Sequence, residues 1–455
     1  MNPEELLTGL NQAQKAAVTH GQGPLMIIAG AGTGKTMAIT RRLAYLVATG
    51  AAQPAELLAL TFTEKAAKEM EERVDRLLPM GYVDLSIGTF HGFCERVLRE
   101  FGVHIGLSPD FRVLTDVESW LLLRRHIGAM KLEYFAPRGN PTKFLQALLT
   151  HISRAKDEGI EAADYGAYVA GFVAPTAEGL SEEDRLERAK WLELARVYTV
   201  YADLMAKEDA LDFGDLLLLT KKLFVDRPNI LRTLQERYKY LVVDEFQDTN
   251  RVQYDLVKLL AGSAQNLTIV GDDDQAIYKF RGAALANILQ FRQDFPTAVK
   301  VVLTDNYRSH AAILNVAYSG IIQNNPHRLE VREGLNKKLA AKGEVENGFV
   351  RHFHEATQEQ EITRVVLEMQ KLVGSGGATW QDMAVLARSN DALQPYIETF
   401  DRLGIPFHYV GLDGLYTKGI ILDLWAVLRV IVDPSDGPAW YRVLTRAQGG
   451  LAAAD

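Results

Sequence analysis

AGAGTGKT, Ala29 to Thr36, follows the apolar run Leu25 to Ala29 and precedes a stretch in which Ile39, Leu43, Leu46 and Val47 recur at i, i+4, i+7 and i+8. A buried strand, a glycine-rich turn and an amphipathic helix closed by Gly50 make up the context in which such a turn binds phosphate. Glycines at 30, 32 and 34 let backbone N–H groups point inward, and Ala31 and Thr33 add further N–H groups to the same cradle. The helix that follows directs its positive end at the anion. Lys35 can reach the β and γ phosphates of a nucleotide, and Thr36 can hold magnesium. Ala29 stands where the strict pattern has glycine, and its small side chain fits the same space.

Working outward, further short apolar runs read as buried strands: Leu57 to Phe62, Tyr240 to Asp244, Leu267 to Gly271, Val299 to Leu303, Phe349 to Phe353 and Met383 to Ala387. Most are followed by helical patterns, so the fold class is α/β, a doubly wound parallel sheet. Between about Pro109 and Asp212 the strand signal gives way to long amphipathic stretches, Trp120 to Met130, Phe144 to Ala155 and Asp184 to Met205, which read as a helical insertion. A second α/β unit is expected from Ala284, and Gly419 to Val432 reads as a helix opening a further element.

YLVVDEFQDTN places Asp244 and Glu245 at the end of an apolar strand. Paired acids there suit metal-assisted phosphoryl transfer, Asp244 binding magnesium and Glu245 polarising the attacking water. An isolated Asp-Glu pair is usually a solvated loop; its partnership with the glycine-rich turn makes it a site.

Composition bounds the partners. The chain has 455 residues, enough for two to four domains, with 47% hydrophobic and 24% charged residues, ordinary values for a soluble protein. No apolar run approaches the roughly 20 residues of a membrane span. The N-terminus has no secretory pattern and Cys94 is the single cysteine, so a reducing cytoplasm is expected and disulfides and cysteine metal clusters are excluded. Lys plus Arg number 50 against 58 acids, a net charge of -8, so binding to nucleic acid has to rest on local groups.

The ordered motifs resemble the superfamily 1A DNA helicases of the UvrD, Rep and PcrA type. LNQAQ, Leu10 to Gln14, resembles the Q motif, LTFTEKAAKEM at 60–70 motif Ia, GTFHGFCERVLREFG at 88–102 motif Ib, and VVDEFQDTN motif II. VGDDDQAIYKFRGA at 270–283 resembles motif III and LTDNYRS at 303–309 motif IV. The resemblance implies two RecA-like domains, 1A at 1–109 and 206–283 and a partial 2A at 284–418, with a helical 1B insertion at 110–205 and the start of a 2B-like insertion at 419–455. It implies an ATP- and Mg2+-dependent motor that binds single-stranded DNA and single-strand/duplex junctions, moves 3′ to 5′, and serves repair, recombination or defence. Gln14 would read adenine and Tyr307 stack on it, Gln275 would sense the γ-phosphate, and Arg281 and Arg308 would bring positive charge to it. Phe62, Tyr278 and Phe280 would stack on bases, a grip that tolerates any sequence, while Thr61, Thr63, Thr89 and His91 would bond backbone phosphates.

Several positions depart from the family pattern. Phe280 replaces a common Trp, Glu64 puts a negative charge where Asn is usual, and Gly214 in DFGDL replaces a second acid. Motifs V and VI find no match before Asp455, so the second domain is expected to be incomplete or completed by a partner protein, with nucleotide and DNA binding retained but hydrolysis weak. Two other readings fit the same motifs: the helicase subunit of a RecB- or AddA-like helicase-nuclease, and an ATP-regulated DNA-binding or assembly subunit that does not unwind.

Overall fold

The computed structural model describes residues 2–78, 85–137, 139–173, 181–277, 285–343, 348–409, 419–434 and 436–446. The chain forms two compact units, 1–350 and 351–455.

The first unit is built on a six-stranded sheet: β1 (Leu25–Ala29), β2 (Leu57–Thr61), β3 (Ser86–Thr89), β4 (Tyr240–Val243), β5 (Leu267–Gly271) and β6 (Val299–Leu303). Its order is β3-β2-β4-β5-β1-β6 and every pairing is parallel. The inner strands β1, β2, β4 and β5 bury both faces, which is why these runs are almost continuously apolar rather than alternating. Met26 and Ile28 of β1, Leu58 and Leu60 of β2, and Leu241 and Val243 of β4 face one core, shared with Phe90, Phe93 and Leu98. Leu25 and Ile27, Leu57 and Ala59, and Tyr240 and Val242 face the other, shared with Ala38, Ile39 and Leu43.

Four helices set the strand ends: α1 (Gln12–Thr19), α2 (Lys35–Ala48), α3 (Glu64–Leu77) and α4 (Phe90–Phe101). Asn11, Thr63 and Thr89 are the N-caps of α1, α3 and α4, each side chain accepting from a backbone N–H of the first turn. Thus α2, α3 and α4 begin directly after β1, β2 and β3, with their positive ends at one edge of the sheet.

The region between β3 and β4 is helical, as its periodicity predicts: Asp116–Arg125, Leu145–Asp157, Ala162–Val173 and Glu182–Lys207 surround a core of their own. Arg112–Val113 pairs in parallel with Ala210–Leu211, so these helices leave and rejoin the sheet domain at adjacent points. At this base the buried Lys156 ammonium bonds Asp212 at 2.7 Å and Asp215 at 2.6 Å.

Two expectations change. Val299–Leu303, expected in a second α/β unit, joins the first sheet as β6, because the open edge of β1 supplies an apolar partner in the register Ala29↔Leu303. Phe349–Phe353 and Met383–Ala387, expected as strands, are not strands in the structure, and Leu386 is 93% exposed rather than buried in a sheet. The described part of the second unit is helical, with Gln358–Gly374 and Gln394–Leu403 packing Ile362, Val366, Tyr396, Phe400 and Ile405 together, and with Gly419–Val432 and Gly437–Arg446 beyond. No helix among the described residues is long and apolar enough to cross a membrane.

Candidate functional site

All described candidate residues from β1 through β6 gather at the C-terminal edge of the sheet, where an open parallel sheet binds ligands. After β1, Gly32 and Gly34 take φ values of 75° and 81°, a left-handed conformation that costs other residues strain. A Cβ on Gly32 would lie 2.6 Å from Asn306 Nδ2 and 2.7 Å from Arg308 Cβ, so only glycine admits the loop that follows β6. That loop is bonded onto the turn: Asn306 Nδ2 donates to Ala31 O at 2.6 Å and Tyr307 N to Gly32 O at 2.9 Å. Asn306 Oδ1 in turn accepts from the Arg308 and Ser309 N–H groups, fixing the backbone that carries both predicted nucleotide contacts.

Lys35, at the first position of α2, makes a 2.5 Å ion pair with Glu245. Glu245 has φ 49°, uncommon for a residue with a side chain, and this twist aims its carboxylate back toward Lys35. Asp244 is buried at the end of β4, and burial pushes its carboxyl up to about 6 against the opposing effect of Lys35. The buried Asp244 carboxylate offers hard oxygen donors, and a cation there would relieve the cost of burying it; with the Thr36 hydroxyl as a further oxygen donor, the residues fit magnesium.

Gln14 is fully buried on α1: its amide donates to Thr33 O at 2.9 Å, and its oxygen accepts from Asn11 N. Gln14 thereby joins the first helix to the phosphate turn. Arg42 of α2, which the motifs do not single out, is 1% exposed and donates to Thr268 Oγ1 at 3.0 Å and to the carbonyls of Ala17 and His20 at 3.3 and 2.5 Å. It ties the end of α1 to α2 and β5, and its signal in the sequence is indistinguishable from that of the neighbouring half-buried Arg41. Asn11 bonds Asp305 at 2.9 Å and the Tyr307 hydroxyl at 3.1 Å, so the segment before α1 also holds Tyr307 in place.

Following β5, Gln275 Nε2 donates to Asp272 Oδ2 at 2.8 Å. Tyr278, Phe280 and Arg281 lie outside the described residues.

At the other end of the same edge, Thr61 closes β2 with a buried hydroxyl that has no hydrogen-bond partner among the described residues, and Phe62 follows at the bend. Thr63 and Thr89 spend their oxygens capping α3 and α4; Thr89 also donates its hydroxyl hydrogen to Glu64 at 2.7 Å. Glu64 therefore engages one of the predicted phosphate donors. His91 stands edge-on to Phe213 at 5.4 Å, and burial lowers its pKa, leaving it a neutral donor near pH 7. Phe62 and His91 line a cleft of about 440 Å³ whose opposite wall includes Gln146, Thr150 and Arg154 of the helical region.

With this geometry in place, the UvrD/REP helicase N-terminal domain matches residues 10–296. The chain belongs to the UvrD/REP helicase family. The UvrD-like helicase C-terminal domain matches residues 301–454, so the expectation that motifs V and VI are missing is not supported. Among curated proteins the chain is similar to "ATP-dependent DNA helicase PcrA" of Leuconostoc citreum, 36% identical over 459 residues, covering 100% of this chain and 56% of the relative. The same-named protein of Bacillus subtilis (strain 168) is 35% identical over 450 residues, 99% of this chain and 57% of the relative. That of Staphylococcus aureus (strain Mu50 / ATCC 700699) is 35% identical over 454 residues, with 98% and 57% coverage. The chain thus spans little more than half the length of these UvrD/REP relatives.

Proposed function

We propose that this UvrD/REP family chain binds ATP with Mg2+ at the Ala29–Thr36 turn and single-stranded DNA across the β2 and β3 ends, and uses hydrolysis to move along the strand. The observation that carries this reading is the shared sheet edge: Lys35 follows β1, Asp244 and Glu245 follow β4, and Phe62, Thr63, Thr89 and His91 follow β2 and β3, with β2 hydrogen-bonded directly to β4. Nucleotide phosphates would draw Lys35 away from Glu245, exchanging one ion pair for another and freeing the Glu245 carboxylate to accept a proton from water. Bound magnesium, held by Thr36 and Asp244, would supply Lewis-acid stabilisation of the phosphoryl oxygens. Arg308, fixed by Asn306, would bring a further positive charge, and Tyr307, oriented by Asn11, would pack on the base. Arg281 would contribute in the same way, with Tyr278 and Phe280 extending the stacking surface.

Movement from 3′ to 5′, action at single-strand/duplex junctions, a role in DNA repair and a cytoplasmic location follow from the family resemblance and from the buried lone Cys94. ATP turnover is expected to rise about tenfold or more with oligo(dT), and Lys35→Ala to lower it by about a hundredfold or more. Equal turnover in the two proteins, or none stimulated by DNA, would leave a passive DNA-binding subunit as the better reading. Strand displacement from 3′-tailed but not 5′-tailed duplexes tests direction.

A further inference from the structure

We propose that Gln247, the acidic triplet Asp272–Asp274 and the pair Arg328 and Lys337 form a relay that transmits occupancy of the phosphate site to the 328–337 segment, with Lys337 and Arg328 as positioning residues. This deepens the nucleotide reading above and rests on it.

The connection is continuous. Glu245 Oε2 accepts from Lys35 at 2.5 Å and from Gln247 Nε2 at 2.7 Å. Gln247 Oε1 accepts from Asp272 N at 3.1 Å. Asp272 then holds Gln275 at 2.8 Å through Oδ2 and Lys337 at 2.6 Å through Oδ1. Lys337 also pairs with Asp273 and, at 2.9 Å, with Asp274, while Arg328 meets Asp274 at 2.6 Å and Leu329 N donates to Asp273 Oδ2 at 2.7 Å.

Three features make this arrangement a transmitter rather than incidental surface pairing. Gln247 is 1% exposed, and the Lys337 and Arg328 side chains are 4% and 3% exposed, so water screens the contacts little and a lost partner is not replaced. A Cβ on Gly271 would lie 2.7 Å from Gln247 Oε1, so the amide lies close against the end of β5 in space that only glycine leaves open. Finally, a cavity of about 240 Å³ lined by Gly30, Ala31, Asp272, Gln275, Arg328 and Lys337 separates the phosphate turn from the triplet and gives the loop room to shift. The three aspartates have the spacing of a cation cage, but the Lys337 ammonium already bonds all three, so the cluster reads as an ionic clasp.

The sequence of events follows from the shared acceptor. When phosphate takes Lys35, Glu245 loses its cation and rearranges, Gln247 follows its remaining bond to Glu245, and the Asp272 backbone moves with it, altering the clasp on 328–337.

Hydrogen exchange at the Leu329 amide, measured with and without a non-hydrolysable ATP analogue and Mg2+, tests this. In the wild-type chain the analogue is expected to change that exchange rate by about fivefold or more. In Gln247→Leu, and in the uncharged, similarly sized Gln247→Met that also loses the donor, the change is expected to shrink below about twofold while analogue affinity stays within about threefold. Lys337→Met should make the amide exchange rapidly in both states, and Lys337→Arg should restore the nucleotide dependence. A full nucleotide response in both Gln247 variants, or none in wild type with the analogue bound, would overturn the relay. A titration showing that wild type does not bind the analogue would sink the nucleotide reading and the relay together.

Discussion

Residue by residue, two of the positions that depart from the family pattern, Glu64 and Gly214, gain a meaning from the structure. Glu64 accepts the Thr89 hydroxyl hydrogen, so a DNA phosphate arriving at Thr89 has to compete with a carboxylate and face its charge. Glu64→Gln is expected to tighten single-stranded DNA binding about three- to tenfold at moderate salt, read by fluorescence anisotropy of a labelled oligonucleotide, with no loss of folding stability. Gly214 has a steric explanation: a Cβ there would lie 2.9 Å from Lys156 Cδ and 3.0 Å from its Cβ. Lys156 is held rigidly between Asp212 and Asp215, so it cannot yield cheaply. Gly214→Ala should destabilise the protein by about 1–3 kcal/mol in urea unfolding.

Among the elements, the N-terminal helix depends on contacts that its own sequence does not announce. Asn11 and Gln14 form a reciprocal capping box at the start of α1, and Arg42 collects its terminal carbonyls from the neighbouring helix. Arg42 is buried, and burial lowers its pKa to about 10, yet it remains charged at neutral pH and fully used as a donor. Arg42→Met would orphan those buried carbonyls at a cost of about 3 kcal/mol or more. Because Gln14 and Tyr307 both hang on this segment, the same variant should lose discrimination between ATP and other nucleoside triphosphates, seen in competition binding, while Lys35 keeps its grip on phosphate.

Over the whole molecule, the helical region and the sheet domain meet through buried acids, and that junction carries a pH signature. Asp157, at the end of the helix Leu145–Asp157, is pushed up to about 7 by burial, with Glu158 and Asp212 adding to the effect and the Asn250 bond at 2.6 Å opposing it. The folded chain therefore keeps this proton up to about pH 7, whereas an unfolded aspartate releases it near pH 4. Between these values the folded state binds more protons, so stability contributed by Asp157 is lost as pH rises, with a slope of up to about 1.4 kcal/mol per unit. Asp157→Asn should flatten that slope; comparing denaturant midpoints of the two proteins at pH 5.5 and 7.5 isolates it from the other buried acids.

The sequence by itself determined the four inner strands β1, β2, β4 and β5, the phosphate turn and the order of motifs, because each is local: continuous apolar runs bury two faces, and Gly32 and Gly34 supply a turn that few other residues adopt. It placed Lys35, Asp244 and Glu245 through their positions at strand ends, and the helical stretch from Asp116 to Lys207 through its periodicity. What only the tertiary structure decided are pairings between distant segments: β6 on the open edge of β1, Asn306 against the phosphate turn, Arg42 under α1, Glu64 on Thr89, and Lys337 among three aspartates. A lysine or an arginine in a sequence looks the same whether it faces water or fills a buried acidic cage. Its role is set by desolvation and by which carboxylates or carbonyls the fold brings within about 3 Å, and those are properties of three-dimensional proximity rather than of chain order.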